Sequence, residues 1–335
     1  MINALTPNGL HVRVPETLAE DPSPHFELSD KEGYMNYYAE FGYCVIKNAI
    51  PGDLCDSIRN LWDEEIKTSS EYVYRQTTCK AERNKFNEQG FVMNPILNLQ
   101  SVNPKFFNKF RKCAESILSH KGLHDPFYNI LGDDPKVVQS MYFEGNSATW
   151  EHQDTYYLDS EKLGTMCGGW LAVEDIAPKA GRFFVIPGSH KIDMKKHSVE
   201  NNVATNHDSY ILSVLDEVKG KGTAPHAPAL EQGSILLWNS KTVHGSLATQ
   251  DSKKARSSIT VHAIPNCDRF MQQQTRIINT PTTKFNETYI YSPKDQVKFK
   301  YRLIKGVEAN FPSLFYMLKR WAIVSVMFFS QTNKS

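Results

Sequence analysis

The chain lacks any Cys-x-x-Cys pair: its six cysteines, at 44, 55, 79, 113, 167 and 267, are scattered along 335 residues. Such spacing gives no thiol metal knuckle or dithiol motif. It also lacks an N-terminal basic-then-apolar segment of the kind that directs secretion, so a reducing, cytoplasmic setting is expected. Net charge is almost absent, at +1, and the Lys/Arg clusters are as short as Lys195-Lys196 and Lys253-Lys254, which argues against a nucleic-acid partner. Internal repeats, low-complexity tracts and interdomain linkers do not stand out. What remains is the composition of an ordinary globular protein, 40% hydrophobic and 22% charged, long enough for a sizeable core and read as one domain. Cys44 and Cys113 sit in apolar or amphipathic patterns and read as small core residues.

Four regions are expected. Residues 1–27, rich in Pro and polar residues without periodicity, read as an irregular N-terminal arm. Residues 28–136 read as mainly helical: Ser29-Asp30 precedes a helix carrying Tyr34, Tyr37, Tyr38 and Phe41 and ended by Gly42; Tyr43 to Lys47 reads as a strand; Pro51 opens an amphipathic helix; and a third helix is expected over about 105–119. Between 69 and 104 no period is clean, although 90–93 could form a short strand, and so long an irregular insert suggests a lid. From 137 to 265 short apolar runs at 137–143, 168–173, 183–186, 234–238 and 257–264 are punctuated by Gly and Pro, which predicts an antiparallel barrel or double-sheet jelly roll buttressed by the N-terminal helices. The fold class is therefore α+β with a mainly β core. The stretch 190–228, between two core strands, is a second candidate cover. Residues 266–335 form a C-terminal extension.

Chemistry enters at Trp150-Glu-His-Gln-Asp154. On a strand, His152 and Asp154 would point the same way, so an imidazole and a carboxylate would converge. Two His and one carboxylate with open positions form the facial triad of non-haem iron oxygenases, and His244, reached from the apolar strand 234–238 through a polar turn, is the natural third ligand. Farther on, alternation places Arg256, Ser258, Thr260 and His262 on one face of a strand. If that face looks inward, it implies a ligand-filled cavity in which Arg256 needs a buried anion such as a carboxylate, held by a bidentate pair. If it looks outward, it is merely solvated.

Taken in order, His152-Gln-Asp154, Gly181-Arg-Phe-Phe-Val-Ile-Pro-Gly-Ser-His-Lys191, His244-Gly-Ser246 and Arg256 resemble the phytanoyl-CoA dioxygenase family of Fe(II)- and 2-oxoglutarate-dependent oxygenases. The match runs from about Val137 to Ala263, and the Phe41-Gly-Tyr-Cys-Val-Ile-Lys strand is similar to the family's N-terminal region. The resemblance implies that His152, Asp154 and His244 hold Fe(II), and that Arg256 grips the distal carboxylate of the cosubstrate 2-oxoglutarate. It further implies that Ser246, Ser258, Gln139 and Trp170 lie near that cosubstrate, with core packing as the alternative for Gln139 and Trp170. O2 is the second cosubstrate, and the implied outcome is hydroxylation of an unactivated C–H bond in a small organic substrate, with release of succinate and carbon dioxide. A carboxylate at Asp154 favours this over halogenation. Ser189 and His190 read as structural, and Arg182 as a solvated charge unless it points inward toward a substrate anion.

Two other readings stay open: a zinc hydrolase on the same ligands, which leaves Arg256 and Ser246 without a task, and a non-catalytic jelly-roll module that binds a metabolite or glycan. At the C-terminus, Phe311 to Phe329 is strongly apolar around Lys319 and Arg320. Those charges and Pro312 disfavour a membrane span, so a helix docked on the N-terminal helices or on a second subunit is expected, with contact at a membrane surface as the alternative.

Overall fold

Side-chain alternation along the central strands decides the architecture, because each strand turns one face to the helices and the other to a second, smaller sheet. The computed structural model describes residues 1–145, 147–192, 207–274 and 276–332, leaving aside the side chains of 207, 208 and 323–332. The first strands are β1 (Ile2–Leu5), β2 (His11–Val14), β3 (His25–Phe26), β4 (Tyr43–Ile46), β5 (Val73–Tyr74), β6 (Ala81–Glu82) and β7 (Ile96–Leu97). The jelly roll follows with β8 (Pro135–Phe143), β9 (Thr149–His152), β10 (Leu158–Ser160), β11 (Cys167–Ala172), β12 (Phe183–Val185), β13 (Ile235–Asn239), β14 (His244–Ser246) and β15 (Ser258–Pro265). Four short strands close the series: β16 (Phe270–Gln272), β17 (Arg276–Ile278), β18 (Thr282–Phe285) and β19 (Thr288–Tyr291). The helices are α1 (Lys31–Phe41), α2 (Gly52–Leu61), α3 (Asn108–Leu118), α4 (Lys121–Leu131), α5 (His207–Lys221), α6 (Phe299–Asn310) and α7 (Pro312–Thr332).

A large sheet runs β18-β19-β8-β15-β11-β13-β4-β3, with β7 added beside β8, and a small sheet runs β12-β14-β9. The fold is α+β with a mainly β core, and the five strands expected in the second half form within two residues of their expected bounds. On the outer face of the large sheet, Cys44, Ile46, Leu171, Leu237, Ile259 and Val261 join one core with Tyr34, Ile58, Trp62, Phe110 and Phe127 of the helices. On the inner face, Tyr43, Val45, Trp170, Leu236 and Trp238 meet Phe183 and Val185 of the small sheet.

The helices start and stop as their termini dictate. Asp30 accepts from Gly33 N–H at the head of α1, and Gly42 ends it at φ 78°, the left-handed conformation that glycine adopts without a Cβ clash. The second helix passes into a π-helical turn, Trp62–Lys67, which lays Trp62 flat on Tyr142 at 4.1 Å between ring centroids. Helix α4 falls in the region expected to be mainly helical but was not singled out there; its Pro126 is accommodated inside the helix and packs on the core side.

Other expectations fail locally. Residues 90–93 do not form a strand, only a single bridge between Val92 and Phe86. The insert instead extends the sheet through β7 and is fastened by Glu144, which accepts from Val92 N–H at 2.6 Å and from Lys67 Nζ at 2.8 Å. The C-terminal segment is helical, but α7 leans on α6 and the β5–β6 hairpin, through Tyr316 bonded to Glu308 and beneath Lys80. Phe311, Leu314, Met317 and Leu318 remain about half exposed or more, so the expected docking on the N-terminal helices is not what these side chains do. Among the described residues no helix is long and apolar enough to cross a membrane.

The N-terminal arm is not irregular. It forms the β1–β2 hairpin, whose Val12 and Val14 pack with Phe184 and Leu247, and whose turn is anchored on the fully buried Glu151 of β9. Glu151 accepts from Thr6 Oγ1, from Asn8 Nδ2 at 2.5 Å and from Asn8 N–H at 3.3 Å. Replacing this carboxylate strands buried donors, so Glu151→Ala is expected to lower unfolding free energy by about 2–4 kcal/mol in a urea titration. An unchanged midpoint would mean that the hairpin is not fastened through Glu151.

Candidate metal centre

The site lies where β9 and β14 of the small sheet pair, with His244 directly opposite His152 in register. Strand β9 stops at His152 and Asp154 begins a one-turn 3-10 helix, so the two are not on one strand as expected. Gln153 between them is itself extended, however, at φ −107° and ψ 135°, so the alternation that aims both side chains alike survives.

Each imidazole is fixed by a backbone carbonyl: His152 Nδ1 lies 2.8 Å from Trp150 O and His244 Nδ1 lies 2.9 Å from Thr242 O. A carbonyl only accepts, so Nδ1 carries the proton in both rings and Nε2 keeps a lone pair. The two Nε2 atoms lie 3.8 Å and 3.5 Å from Asp154 Oδ1, and the three ligand atoms fall within 4.8 Å of one another. Ligand atoms about 2 Å from a shared ion stand about 3 Å apart at right angles, so a small contraction would seat a divalent metal here.

The two oxygens of Asp154 have different neighbours. While Oδ1 faces the imidazoles, Oδ2 accepts from Trp238 Nε1–H at 2.8 Å and lies 3.3 Å from His262 Nε2. His262 is within ion-pair range but off the hydrogen-bond direction, since neither of its ring nitrogens has a hydrogen-bond partner among the described residues. Burial would raise the Asp154 carboxyl, but His244 and His262 outweigh it and hold it well below the usual carboxylate range. Burial, with His244 adjacent, pushes His152 down to about 4. At neutral pH the site thus presents one anion and an uncharged imidazole at His152, the protonation states that metal binding requires.

The polar face of β15 looks inward and is buried at Arg256, Ser258, Thr260 and His262 alike, although the strand itself begins only at Ser258. Arg256 donates through one guanidinium nitrogen to Gly181 O at 2.8 Å, and its Nε is buried with no partner among the described residues. Its guanidinium sits over the rings of Phe143 and Trp170, and burial pushes it down to about 9, still cationic at neutral pH. A buried cation without an anion is costly. Ring contacts from Trp170 to Phe183 and from Phe183 to His244 connect this arginine to the triad along the inner side of the sheets.

The remaining candidates divide. Trp170 is part of the inner core and also forms the wall beside Arg256. Gln139, half-buried, lies opposite His262 in register and so on the inner face of β8. Ser246 accepts from Thr149 N–H at 3.0 Å, and Ser258 donates to Arg256 O at 3.1 Å, so both hydroxyls are engaged with backbone. Ser189 accepts from Val243 N–H and His190 contacts Ala39 O, the structural roles expected of them. Arg182 is neither solvated nor facing a substrate: it is buried, with its guanidinium donating to Ile176 O and Pro15 O.

Sequence reading missed Trp238, Glu151 and Tyr210, and left His262 without a task. Trp238 was legible by alternation along β13, since Leu237 belongs to the outer core and Trp238 must face inward. Gly168 makes this possible, because a Cβ there would lie 2.2 Å from the Trp238 ring. Within the excursion at 190–228, residues 193–206 lie outside the described residues, but α5 brings Tyr210 to stack on Tyr156 at 3.6 Å while its hydroxyl accepts from Gln153 N–H at 3.0 Å.

The family model for phytanoyl-CoA dioxygenase (PhyH) matches residues 38–256. Among curated relatives, a phytanoyl-CoA dioxygenase domain-containing protein 1 homolog of Caenorhabditis elegans is 27% identical over 187 residues, 52% of this chain and 62% of that protein. The protein 1 of Danio rerio is 30% identical over 272 residues, 70% of this chain and 89% of that protein. The stretch matched in the first of these, and in the Bos taurus protein at 54%, is thus less than two thirds of the relative's length. Two solved structures share the fold. The epimerase SnoN in complex with Fe3+, alpha ketoglutarate and nogalamycin RO superposes with a TM-score of 0.53 at 13% identity, covering 78% of this chain and 98% of that one. EctD from S. alaskensis with 2-oxoglutarate and 5-hydroxyectoine gives 0.51 at 14%, covering 81% and 86%. Because the family model runs unbroken from the first helix through both imidazoles and Asp154 to Arg256, the chain belongs to the phytanoyl-CoA dioxygenase family.

Proposed function

We propose that this chain is an Fe(II)- and 2-oxoglutarate-dependent dioxygenase that hydroxylates an unactivated C–H bond of a small organic substrate. The observation that carries the reading is Arg256, a buried guanidinium whose Nε has no partner among the described residues, linked through Trp170 and Phe183 to a His-Asp-His cluster. A zinc hydrolase or a simple binding module would leave that charge unexplained. The donor set of two imidazole nitrogens and one carboxylate oxygen fits a divalent iron and leaves three positions open.

With iron, 2-oxoglutarate and O2 bound, such a centre supplies oxidative decarboxylation of the 2-oxo acid and oxidation of a C–H bond. The chain's own residues do the rest. His152, Asp154 and His244 would hold the metal, while Trp238 donates to the second Asp154 oxygen and His262 lies beside it. Arg256 takes the distal carboxylate of 2-oxoglutarate, with Trp170 and Phe183 as an apolar wall that keeps water from the charge pair. SnoN is described as an epimerase and EctD was solved with 5-hydroxyectoine, so the fold alone does not choose the outcome.

The direct test is succinate release by protein reconstituted anaerobically with Fe(II), then given 2-oxoglutarate, O2 and a metabolite library, with the mass shift of the consumed compound as the second readout. His244→Ala is expected to abolish turnover while leaving the melting transition within a few degrees; equal turnover in that variant, or in metal-free protein, would contradict the ligand assignment. For the cosubstrate, Arg256→Ala should raise the 2-oxoglutarate requirement roughly 10- to 150-fold, the equivalent of a charge-assisted hydrogen bond worth about 1.5–3 kcal/mol. Arg256→Lys should fall between, because an ammonium lacks the planar fork. An unchanged requirement in both would place the anchor elsewhere. Trp238→Phe removes the donor to Asp154, and iron affinity measured by competitive chelation should drop about 10- to 100-fold, as for other partners that orient a ligand. Undiminished affinity would mean that Asp154 is oriented without it.

A further inference from the structure

Helix α7 leaves its apolar side uncovered. A surface helix ordinarily buries its apolar stripe and exposes its polar one. Here Tyr316 faces the protein, donating to Glu308 and lying under Lys80, while Phe311, Leu314, Met317 and Leu318 face away, with exposures of 62%, 48%, 50% and 55%. These four recur at the i, i+3, i+6 and i+7 spacing of one helix side, and α6 adds Phe299 and Leu303 at 70% and 56% exposure, one turn apart. The sequence of α7 continues apolar through Ile323, Val324, Val326, Met327, Phe328 and Phe329.

Charge chooses the occupant. Between 297 and 321 every exposed ionisable side chain is basic: Lys298, Lys300, Arg302, Lys319 and Arg320. The one carboxylate in that stretch, Glu308, is buried and bonded to Tyr74 and Tyr316. A second copy of this chain would set these cations against their own duplicates across an isologous interface, which is unfavourable. An anionic lipid surface answers both features, accepting the apolar stripe among its acyl chains and the flanking cations at its headgroups. We propose that α7, flanked by α6, is a membrane-surface anchor that lies on bilayers rich in anionic phospholipid. It does not span them, and the proposal does not depend on the reading of the metal centre.

The test is co-sedimentation of the full chain with phosphatidylcholine vesicles, with and without phosphatidylserine, alongside analytical ultracentrifugation of the protein alone. The expected result is binding to the serine-containing vesicles well above that to neutral ones, weakened by added salt. Lys319→Glu/Arg320→Glu alters two exposed side chains, and with about 1 kcal/mol for each cation near the surface it should lower the vesicle affinity at least 10-fold. Leu314→Ser/Leu318→Ser should abolish it. Circular dichroism and the melting transition of each variant establish that the fold is kept, and the charge variant stands as the test if the apolar one is misfolded. Protein left in the supernatant with both kinds of vesicle would overturn the proposal. A dimer that Leu314→Ser/Leu318→Ser converts to monomer, with no vesicle binding, would assign the face to a second copy instead.

Discussion

A single buried carboxylate, Asp154, is the constraint around which the two sheets are arranged. Its first oxygen faces two imidazoles of the small sheet, and its second is held by the Trp238 indole of the large sheet, with His262 beside it. An anion at this depth would be strongly unfavourable alone, and it is tolerated because donors and imidazoles converge on it from strands far apart in sequence. The large sheet makes room by placing Gly168 under the Trp238 ring. The same inner face that would be plain hydrophobic core in a protein built only for stability is polar along β15, and the outer face of the very same strand, through Ile259 and Val261, is core in the ordinary sense.

Function is set against stability most plainly at Arg256. Its charge is buried, its Nε lacks a partner, and burial already depresses its proton affinity. Elsewhere the chain satisfies buried charge with care: Arg182 bonds to two carbonyl oxygens, Arg75 to Asn94 O and Asn84, and Glu151 to the N-terminal hairpin. The exception stands out against that practice, and ring contacts through Trp170 and Phe183 connect it to the His-Asp-His cluster. A ligand carboxylate would remove the anomaly.

Much of this was legible in the sequence. Short apolar runs separated by Gly and Pro located the five core strands, and capping chemistry at Asp30 and Gly42 located α1. His152, Asp154 and His244 were legible as a set through the ordered motifs that resemble the family, and extended Gln153 aims the first two side chains alike although Asp154 lies beyond the strand. What was hidden has physical reasons. Helix α4 carries Pro126, whose presence argues for a break unless the packing is known. The N-terminal hairpin has only four residues per strand, and it owes its order to a long-range bond with Glu151 that no local pattern announces. Which way the polar side of β15 faces depends on the helices covering the other side, and Arg182, expected in solvent, is drawn inward by carbonyls of Pro15 and Ile176. The outward turn of the apolar side of α7 is likewise set by Tyr316 and Glu308, a tertiary contact.

The central claim is that one cavity binds Fe(II) through the His-Asp-His cluster and 2-oxoglutarate through Arg256 at the same time. An anaerobic titration that follows the visible charge-transfer absorption of a 2-oxo acid chelated to Fe(II) tests it without any knowledge of the substrate. The account predicts a band that appears only when both iron and 2-oxoglutarate are present, saturating at one of each per chain. Iron binding with no band at any 2-oxoglutarate concentration, or a site that takes neither, would contradict it.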